Sequence, residues 1–242
     1  MIGPSRTTAL EKAMTTQIVI LAAGMGSRLG RSLPKSLTVL NDGRTIMQQQ
    51  VENIHAAFDD ARITTVVGYK ADHIIDAFPE NTYVYNDEYD VTNTSKSLLR
   101  ALRASKPGGV LWMNGDVVFH PSLLARVAER VAADQSTVAV DTSKVSDEEV
   151  KYTLDARGDI AELSKTVKGG LGEAIGINFI SSTDKATLIR HLQRCDAQDY
   201  FERGIETAIA ESGIRVQPLD ISDLFAVEVD FAEDLDRANL YV

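Results

Sequence analysis

The chain has 242 residues, 44% hydrophobic and 25% charged, a globular composition that excludes a disordered polymer or a fibrous repeat. Its apolar stretches all fall short of the roughly 20 residues of a membrane helix, and no signal-peptide core is apparent, so we expect a cytoplasmic protein with no membrane partner. The single cysteine, Cys195, excludes an internal disulfide, and the net charge of −10 argues against a nucleic-acid partner.

The first half of the chain alternates apolar runs with helical patterns. Residues 1–16 show no clear periodicity and are predicted to be a frayed or loosely helical extension, whereas residues 17–242 are predicted to form one domain. A buried strand over 17–23 ends in a glycine-rich loop. Further strands are predicted over 63–68, 82–86, 109–114 and 136–140, and helices over 45–58, 71–78, 94–105 and onward from Pro121.

The alternation of predicted strands and helices changes near residue 151. Two short strands over 151–154 and 159–163 flank a hairpin signal at Gly158, and a longer strand is predicted over 173–181, which together indicate a small antiparallel insertion. The remaining predicted elements are helices over 184–194, 199–211 and 231–240 and strands over 214–218 and 225–229. We therefore predict an α/β fold with one doubly wound, mostly parallel sheet, whose ligand lies at the carboxyl ends of the strands.

The loop after the first strand suits an anion. Residues 17–41 contain no Asp or Glu, although residues 196–242 alone hold 12 acidic and 3 basic side chains. Glycines leave backbone N–H groups accessible to a phosphate, and Arg28 and Lys35 add positive charge. The Walker pattern fails because Arg31 follows Gly30, and the dinucleotide pattern fails because Gly30 lies four positions after Gly26.

This loop, Leu-Ala-Ala-Gly-Met-Gly-Ser-Arg-Leu-Gly followed by Pro34 and Lys35, resembles the signature loop of the nucleotidyltransferases that join an NTP to a sugar phosphate or a small alcohol phosphate. In that family the loop wraps the base and phosphates, and its basic residues hold the triphosphate. The resemblance implies that Arg28 and Lys35 are catalytic. It implies nucleotide contacts for Leu21, Ala22, Ala23, Gly24, Met25 and Gly26.

A second segment narrows the resemblance to one branch of these nucleotidyltransferases. Residues 86–98 are similar to a segment of the CTP:phosphocholine and 2-aminoethylphosphonate cytidylyltransferases, in which Asn93 and Ser97 match, whereas Asp87 replaces a proline and Thr94 replaces an asparagine. The similarity implies that Asn86, Asn93 and Ser97 contact the nucleotide. Asn93 as a helix N-cap and Ser97 as a surface residue remain alternatives.

The middle of the chain resembles the same branch at residues 147–152, 163–165 and 172–177. The resemblance implies that Lys151 and Lys165 meet the acceptor phosphate and that Glu173 lines the acceptor pocket. Solvated lysines and an ordinary strand residue are the alternatives.

Two strand ends carry candidate metal ligands. Asp116 follows an apolar strand in Asn-Gly-Asp, and Asp230 follows another in Glu228-Val-Asp, with Glu228 and Asp230 on one face. Mg²⁺ typically takes one or two protein carboxylates together with phosphate oxygens and waters, so Asp116 and Asp230 are predicted to bind one Mg²⁺. A turn role for Asp116 and an N-cap role for Asp230, with Glu233 in a capping box, are the alternatives.

The resemblance and these carboxylates together predict a Mg²⁺-dependent cytidylyltransferase acting on CTP and a small phosphate or phosphonate such as phosphocholine or 2-aminoethylphosphonate. A sugar-1-phosphate or inositol-phosphate nucleotidyltransferase using another NTP is an alternative, as is a non-catalytic nucleotide-binding regulator. A homo-oligomer is left open. The acidic and aromatic cluster that would suit an amine-bearing acceptor comprises Tyr85, Asp87, Glu88, Tyr89 and Asp90.

Overall fold

Buried apolar strands and amphipathic helices alternate along the chain, as the sequence pattern predicts. The computed structural model describes residues 15–26, 32–143, 145–146 and 149–242. The strands are β1 (Thr16–Ala22), β2 (Ala61–Val67), β3 (Thr82–Tyr85), β4 (Val110–Asn114), β5 (Val117–Phe119), β6 (Thr137–Asp141), β7 (Lys151–Leu154), β8 (Ile160–Ser164), β9 (Glu173–Ile180), β10 (Gln217–Asp220) and β11 (Ala226–Glu228). The helices are α1 (Ile46–Ala57), α2 (Ala71–Ala77), α3 (Thr94–Ala104), α4 (Ser122–Ala132), α5 (Lys185–Arg194), α6 (Phe201–Ser212) and α7 (Ala232–Ala238).

The main sheet has the strand order β10-β6-β9-β4-β1-β2-β3, with the β7–β8 hairpin attached to β9. Six of the ordered strands run parallel, and β9 runs antiparallel between β4 and β6. The prediction of a mostly parallel α/β sheet is therefore confirmed. In the register of β1 and β4, Leu21 lies opposite Asn114, so the loops that follow these two strands leave the sheet side by side.

The two faces of the sheet bury separate cores, because successive residues of a strand point to opposite faces. Val19 and Trp112 pack with α3, α5 and α6 on one face, whereas Ile20 and Met113 pack with α1, α2 and α4 on the other. A smaller core lies between β5, β11 and α7. The three-layer arrangement leaves the carboxyl edge of the sheet open to a ligand.

The structure corrects two details of the predicted topology. The strand predicted over 173–181 is central to the main sheet instead of belonging to an insertion. It is buried throughout because its side chains pack into the cores on both faces of the sheet. The strand predicted over 225–229 pairs with β5 in a separate two-stranded antiparallel sheet. β5 itself was not predicted, and the strand predicted over 214–218 begins three residues later, at Gln217.

Within the described residues, no helix combines the length and the apolar character that a membrane crossing requires.

Candidate active site

A cavity of about 690 Å³ opens where β1 and β4 end. This volume lies in the range of about 300–1,000 Å³ that is usual for small-molecule sites. Its walls come from the loop after β1, the turn after β4, the beginning of β9, the beginning of α6 and the segment that links β11 to α7. The predicted position of the ligand, at the carboxyl ends of the parallel strands, thus coincides with this cavity.

The loop after β1 forms one wall of this cavity. Leu21, Ala22, Gly24, Met25 and Gly26 line it. Gly26 has φ +58°, a left-handed conformation that favours glycine, and a Cβ there would lie 3.0 Å from the Lys35 Cβ. Only a residue without a side chain therefore lets the loop approach the lysine this closely.

One described residue of the loop, Ala23, does not line this wall. Ala23 is buried behind it, and its carbonyl accepts a hydrogen bond of 3.0 Å from the Tyr69 N–H. Arg28, predicted to be catalytic, lies outside the described residues.

Lys35 brings together the two predicted metal ligands. It opens a short 3-10 turn after Pro34, and its Nζ donates to Asp116 Oδ2 at 2.8 Å and to Asp230 Oδ1 at 2.5 Å. The three side chains are between 13% and 29% exposed. Burial alone would lower the pKa of the Lys35 ammonium, but attraction and hydrogen bonding to the two carboxylates outweigh burial and raise it. Lys35 is therefore charged at neutral pH.

Backbone hydrogen bonds position the two carboxylates. The Gly115 N–H donates to Leu21 O, which fixes the turn after β4 against β1, and the Val229 N–H donates to Asp116 O, each at 2.9 Å. The pairing of β11 with β5 thus places Asp230 beside Asp116, although 114 residues separate them along the chain.

Asp230 does not act as the N-cap considered from the sequence. Helix α7 has Phe231 as its N-cap, and the Asp234 carboxylate accepts from the N–H groups of both Asp230 and Phe231. With Phe231 as the N-cap, the third helical position is Asp234 and not Glu233. The Asp234 carboxylate therefore takes the capping role. The Asp230 side chain instead faces Lys35.

Gln50 on α1 supports the Asp116 turn, a role that the sequence did not reveal. Its side chain is fully buried, and its Nε2 donates to Asn114 O at 2.9 Å and to Val117 O at 2.8 Å. Both carbonyls flank Asp116. A glutamine inside an apolar helix face is the signal that could have identified this residue, because a buried amide needs partners.

We expect Gln50→Leu to lower the free energy of unfolding by about 2–3 kcal/mol, since it leaves two buried carbonyls without their donor. Urea unfolding measures this. Because the turn then loses its anchor, we also expect weaker divalent-cation binding to the protein. The exposed neighbour Gln48→Leu is the control, and equal stability of the two variants would contradict the anchoring role.

Glu228 lies near enough to Asp116 and Asp230 for their charges to act on it, and among the described residues it does not join them as a third ligand. Burial raises the pKa of its carboxyl well above the usual value, and the charges of Asp116 and Asp230 raise it further, while Lys35 lowers it. In the part of the chain that the structure describes, no three acidic, histidine or cysteine side chains converge as a ready metal cluster. Two carboxylates balanced by one ammonium fit Mg²⁺, which takes few protein ligands and completes its shell with phosphates and waters.

The predicted nucleotide-binding residues of the second segment separate into two groups. Asn93 lines the cavity and also caps α3, where its Oδ1 accepts from the Thr94 N–H at 2.8 Å. Asn86 and Ser97 are buried behind the wall and bond to each other at 3.0 Å. The Asn86 Oδ1 also accepts from the Glu88 N–H, so this pair fixes the loop that carries Tyr89 and Asp90 into the cavity.

The three residues predicted to contact the acceptor substrate also fall into two groups. Lys165 and Glu173 line the cavity, and Glu173 accepts a short hydrogen bond from the Ser146 N–H. Lys165 Nζ lies 5.0 Å from the centre of the Tyr200 ring. Lys151 is buried on β7, packed so closely beneath Gly170 that a Cβ on that glycine would lie 2.7 Å from it. This packing therefore disfavours direct contact of Lys151 with an acceptor phosphate.

The acidic and aromatic cluster expected to suit an amine divides between surface and cavity. Asp87 and Glu88 both pair with Arg100 at the surface, and Tyr85 is 56% exposed. Only Tyr89 and Asp90 line the cavity.

Glu202 is a cavity residue that the sequence did not single out. It lies in the first turn of α6 and is 7% exposed, and its Oε2 has no hydrogen-bond partner among the described residues. Burial raises the pKa of its carboxyl to about 7, and the nearby positive charge of Lys165 offsets only part of this shift.

We expect Glu202 to make the protein less stable as pH rises. Its folded pKa of about 7 exceeds the ordinary 4.5, so the folded state binds the proton more tightly than the unfolded state does. Its contribution to the free energy of unfolding should fall between pH 4.5 and 7, by about 3 kcal/mol in all. Glu202→Gln should remove this slope in urea unfolding across that range.

The exposed Glu129→Gln on α4 is the matched control and should keep the slope of the wild-type protein. A wild-type slope in the Glu202→Gln variant would show that the carboxyl titrates normally.

The family model for the MobA-like NTP transferase domain matches residues 18–181. The chain is similar to the CMP-5'-(3-aminopropyl)phosphonate synthase of Streptomyces rubellomurinus, with 28% identity over 266 aligned residues that cover 98% of this chain and 40% of that protein. It is also 31% identical over 112 residues to the bifunctional protein GlmU of a Picosynechococcus species, covering 45% of this chain and 24% of that protein. The chain thus spans less than half the length of these curated relatives.

Solved structures share the fold. CTP:phosphocholine cytidylyltransferase from Streptococcus pneumoniae superposes with a TM-score of 0.75 at 17% identity, covering 94% of this chain and 99% of that chain. The inositol-1-phosphate CTP transferase from T. maritima gives a TM-score of 0.72 at 14% identity, covering 94% and 98%. The family model covers about two thirds of the residues and includes the loop after β1, Lys35 and Asp116, so the chain belongs to the MobA-like NTP transferase family.

Proposed function

We propose that this chain is a nucleotidyltransferase that transfers CMP from CTP to a small phosphate or phosphonate, with Mg²⁺ as cofactor and pyrophosphate as the second product. The observation that carries the proposal is the placement of the Lys35 ammonium between Asp116 and Asp230, beside a glycine loop at the opening of the cavity. A fold that served only to bind nucleotide would have no need of this arrangement.

The reaction needs little from the protein beyond position and charge. An oxygen of the acceptor attacks the α-phosphorus of CTP in line, the new P–O bond forms, and the bond to pyrophosphate breaks. The acceptor oxygen is already anionic near neutral pH, so orientation and charge stabilisation contribute more than a general base does.

Each proposed residue has one task in this scheme. Backbone N–H groups of the loop at Gly24 and Gly26 hold phosphate oxygens. Lys35 exchanges its contact with the carboxylates for one with the α-phosphate, and the family resemblance assigns Arg28 to the pyrophosphate. Asp116 and Asp230 would hold Mg²⁺, which would supply neutralisation of phosphate charge when bound.

The other predicted site residues take roles that follow from where they lie. We assign nucleotide contact to Asn93 and a positioning role to Asn86 and Ser97, since their hydrogen bond fixes the loop behind the wall. Lys165 is the proposed ligand of the acceptor phosphate because it lines the cavity. Lys151 supports the wall through its packing beneath Gly170.

The choice of CTP and of a phosphonate is supported by the relatives. One curated relative is named for a CMP-phosphonate product, and two structural neighbours are named as CTP-dependent transferases. A sugar-1-phosphate transferase is the second candidate, because part of the chain is similar to GlmU and a glucose-1-phosphate thymidylyltransferase shares the fold.

Pyrophosphate release measured with each of four NTPs, Mg²⁺ and a panel of acceptors tests the proposal. The panel contains 2-aminoethylphosphonate, phosphocholine, glucose 1-phosphate and inositol 1-phosphate. We expect release with CTP and the phosphonate. Release only with a sugar phosphate would establish the second candidate, and release with no combination would contradict the proposed activity.

A further inference from the structure

Three residues that line the cavity carry a buried oxygen atom with no hydrogen-bond partner among the described residues. The atoms are Oε2 of Glu202, Oδ1 of Asn114 and Oγ of Ser36. Buried polar atoms are nearly always paired, so orphaned atoms of cavity residues indicate a ligand or water that pairs with them. The Ser36 hydroxyl can donate or accept, whereas the Glu202 and Asn114 oxygens are acceptors, and the group that matches these two is therefore a donor.

Glu202 and Asn114 lie on the same side of the sheet. Asn114 follows Trp112 by two positions on β4, and alternation places both on one face. Phe201, the residue before Glu202, meets the Trp112 ring edge to face at 5.6 Å. Helix α6 thus packs over the end of β4, and the beginning of α6 and the end of β4 both contribute to this wall.

The surroundings select a positively charged donor. Tyr200 lines the same wall, and its ring already carries the Lys165 ammonium at 5.0 Å. Lys165 nevertheless leaves the Glu202 oxygen unpaired. The deprotonated carboxylate is costly to bury alone, and a bound ammonium would compensate for that cost. A trimethylammonium group has no N–H to give to either oxygen.

We propose that Glu202, assisted by Asn114, selects acceptors that carry a primary ammonium group at the end opposite the reacting phosphate or phosphonate. This inference rests on the proposed transferase function and names the substrate class within it. Glu202 is a specificity residue that binds the remote end of the acceptor, so its loss should affect acceptor affinity more than the chemical step.

The test compares acceptors of matched shape. 2-Aminoethylphosphonate and propylphosphonate differ by an ammonium in place of a methyl group. With CTP and Mg²⁺, we expect the wild-type protein to show a KM about 10- to 100-fold lower for the amine, the usual effect of a charge-assisted hydrogen bond. Phosphocholine should resemble propylphosphonate.

Glu202→Gln should raise the KM for 2-aminoethylphosphonate by about 10-fold or more and leave the KM values for propylphosphonate and CTP within about twofold. Glu129→Gln, the exposed control, should change none of them. An equal effect on both phosphonates would show a structural role, and an effect on CTP would show a nucleotide contact; either result would overturn the proposal.

Binding separates failure of this inference from failure of the proposed function. Calorimetry measures the binding of each phosphonate to the protein in the presence of CTP and Ca²⁺. This measurement requires no turnover. Preferential binding of the amine that is lost in Glu202→Gln supports the inference. Absent or equal binding overturns it, even if pyrophosphate release from CTP upholds the transferase function.

Discussion

Replacing Lys35 by alanine should lower turnover in the CTP assay by about 10²- to 10³-fold, the effect usual for removing one charge-stabilising donor from a transfer site. Lys35 contacts both carboxylates, and the Gly26 conformation brings the proposed phosphate-binding loop against its side chain. The KM for CTP should change less, since in the proposed scheme the loop backbone also holds the nucleotide.

The same substitution should have an opposite effect on cation binding. In the protein without substrate, the Lys35 ammonium neutralises Asp116 and Asp230, so a divalent cation must compete with it. Lys35→Ala removes this competitor, and Mn²⁺ binding followed by electron paramagnetic resonance should become tighter while turnover falls. Weaker Mn²⁺ binding would mean that Lys35 only organises the carboxylates.

Lys106→Ala is the control for both measurements, because Lys106 is exposed at the opposite edge of the sheet, before β4 begins. Unchanged turnover in Lys35→Ala would contradict its assignment to the reaction.

The part of the site that could be predicted from the sequence is the part encoded by local patterns. Lys35 and Asp116 follow glycine-containing loops at the ends of apolar strands, and parallel strands bring such ends to one edge. Periodicity likewise predicts the helices and the parallel strands, since burial of one helix face or of a whole strand appears directly in the residue pattern.

The rest depends on contacts between distant segments. The sequence predicts that Asp116 and Asp230 share one ion, but it does not show how they meet. The three-residue strand β5 has too few residues for a pattern, and its pairing with β11 brings Asp230 to Asp116. Glu202 stands in the first turn of a helix, a common surface position for an acid, and only the packing of Phe201 against Trp112 explains its burial.

The family resemblance does not determine how Asn86 and Ser97 act. A matching motif indicates that a residue is needed, but it does not distinguish contact with a ligand from support of a neighbouring loop. The hydrogen bond between Asn86 and Ser97 favours our proposal of loop support, because it uses groups that a nucleotide would otherwise engage.

Asp116→Asn and Asp230→Asn should each lower Mg²⁺-dependent turnover by about 10³-fold or more, because a metal that neutralises phosphate charge contributes several kcal/mol to the reaction. Each asparagine keeps an oxygen that can accept from Lys35, so the fold should persist. Asp59→Asn, exposed at the opposite edge before β2, is the control. Full activity in either variant would contradict the metal role.

The double variant decides whether the two carboxylates serve one ion. Residues that act as a unit lose their effect together, so Asp116→Asn with Asp230→Asn should be scarcely less active than either single variant. Independent roles would instead multiply the two losses. Raising Mg²⁺ should partly rescue each single variant, which retains one carboxylate, and should not rescue the double variant. Because Lys35 contacts both oxygens at 2.8 and 2.5 Å, one cation between them is the arrangement that this geometry favours.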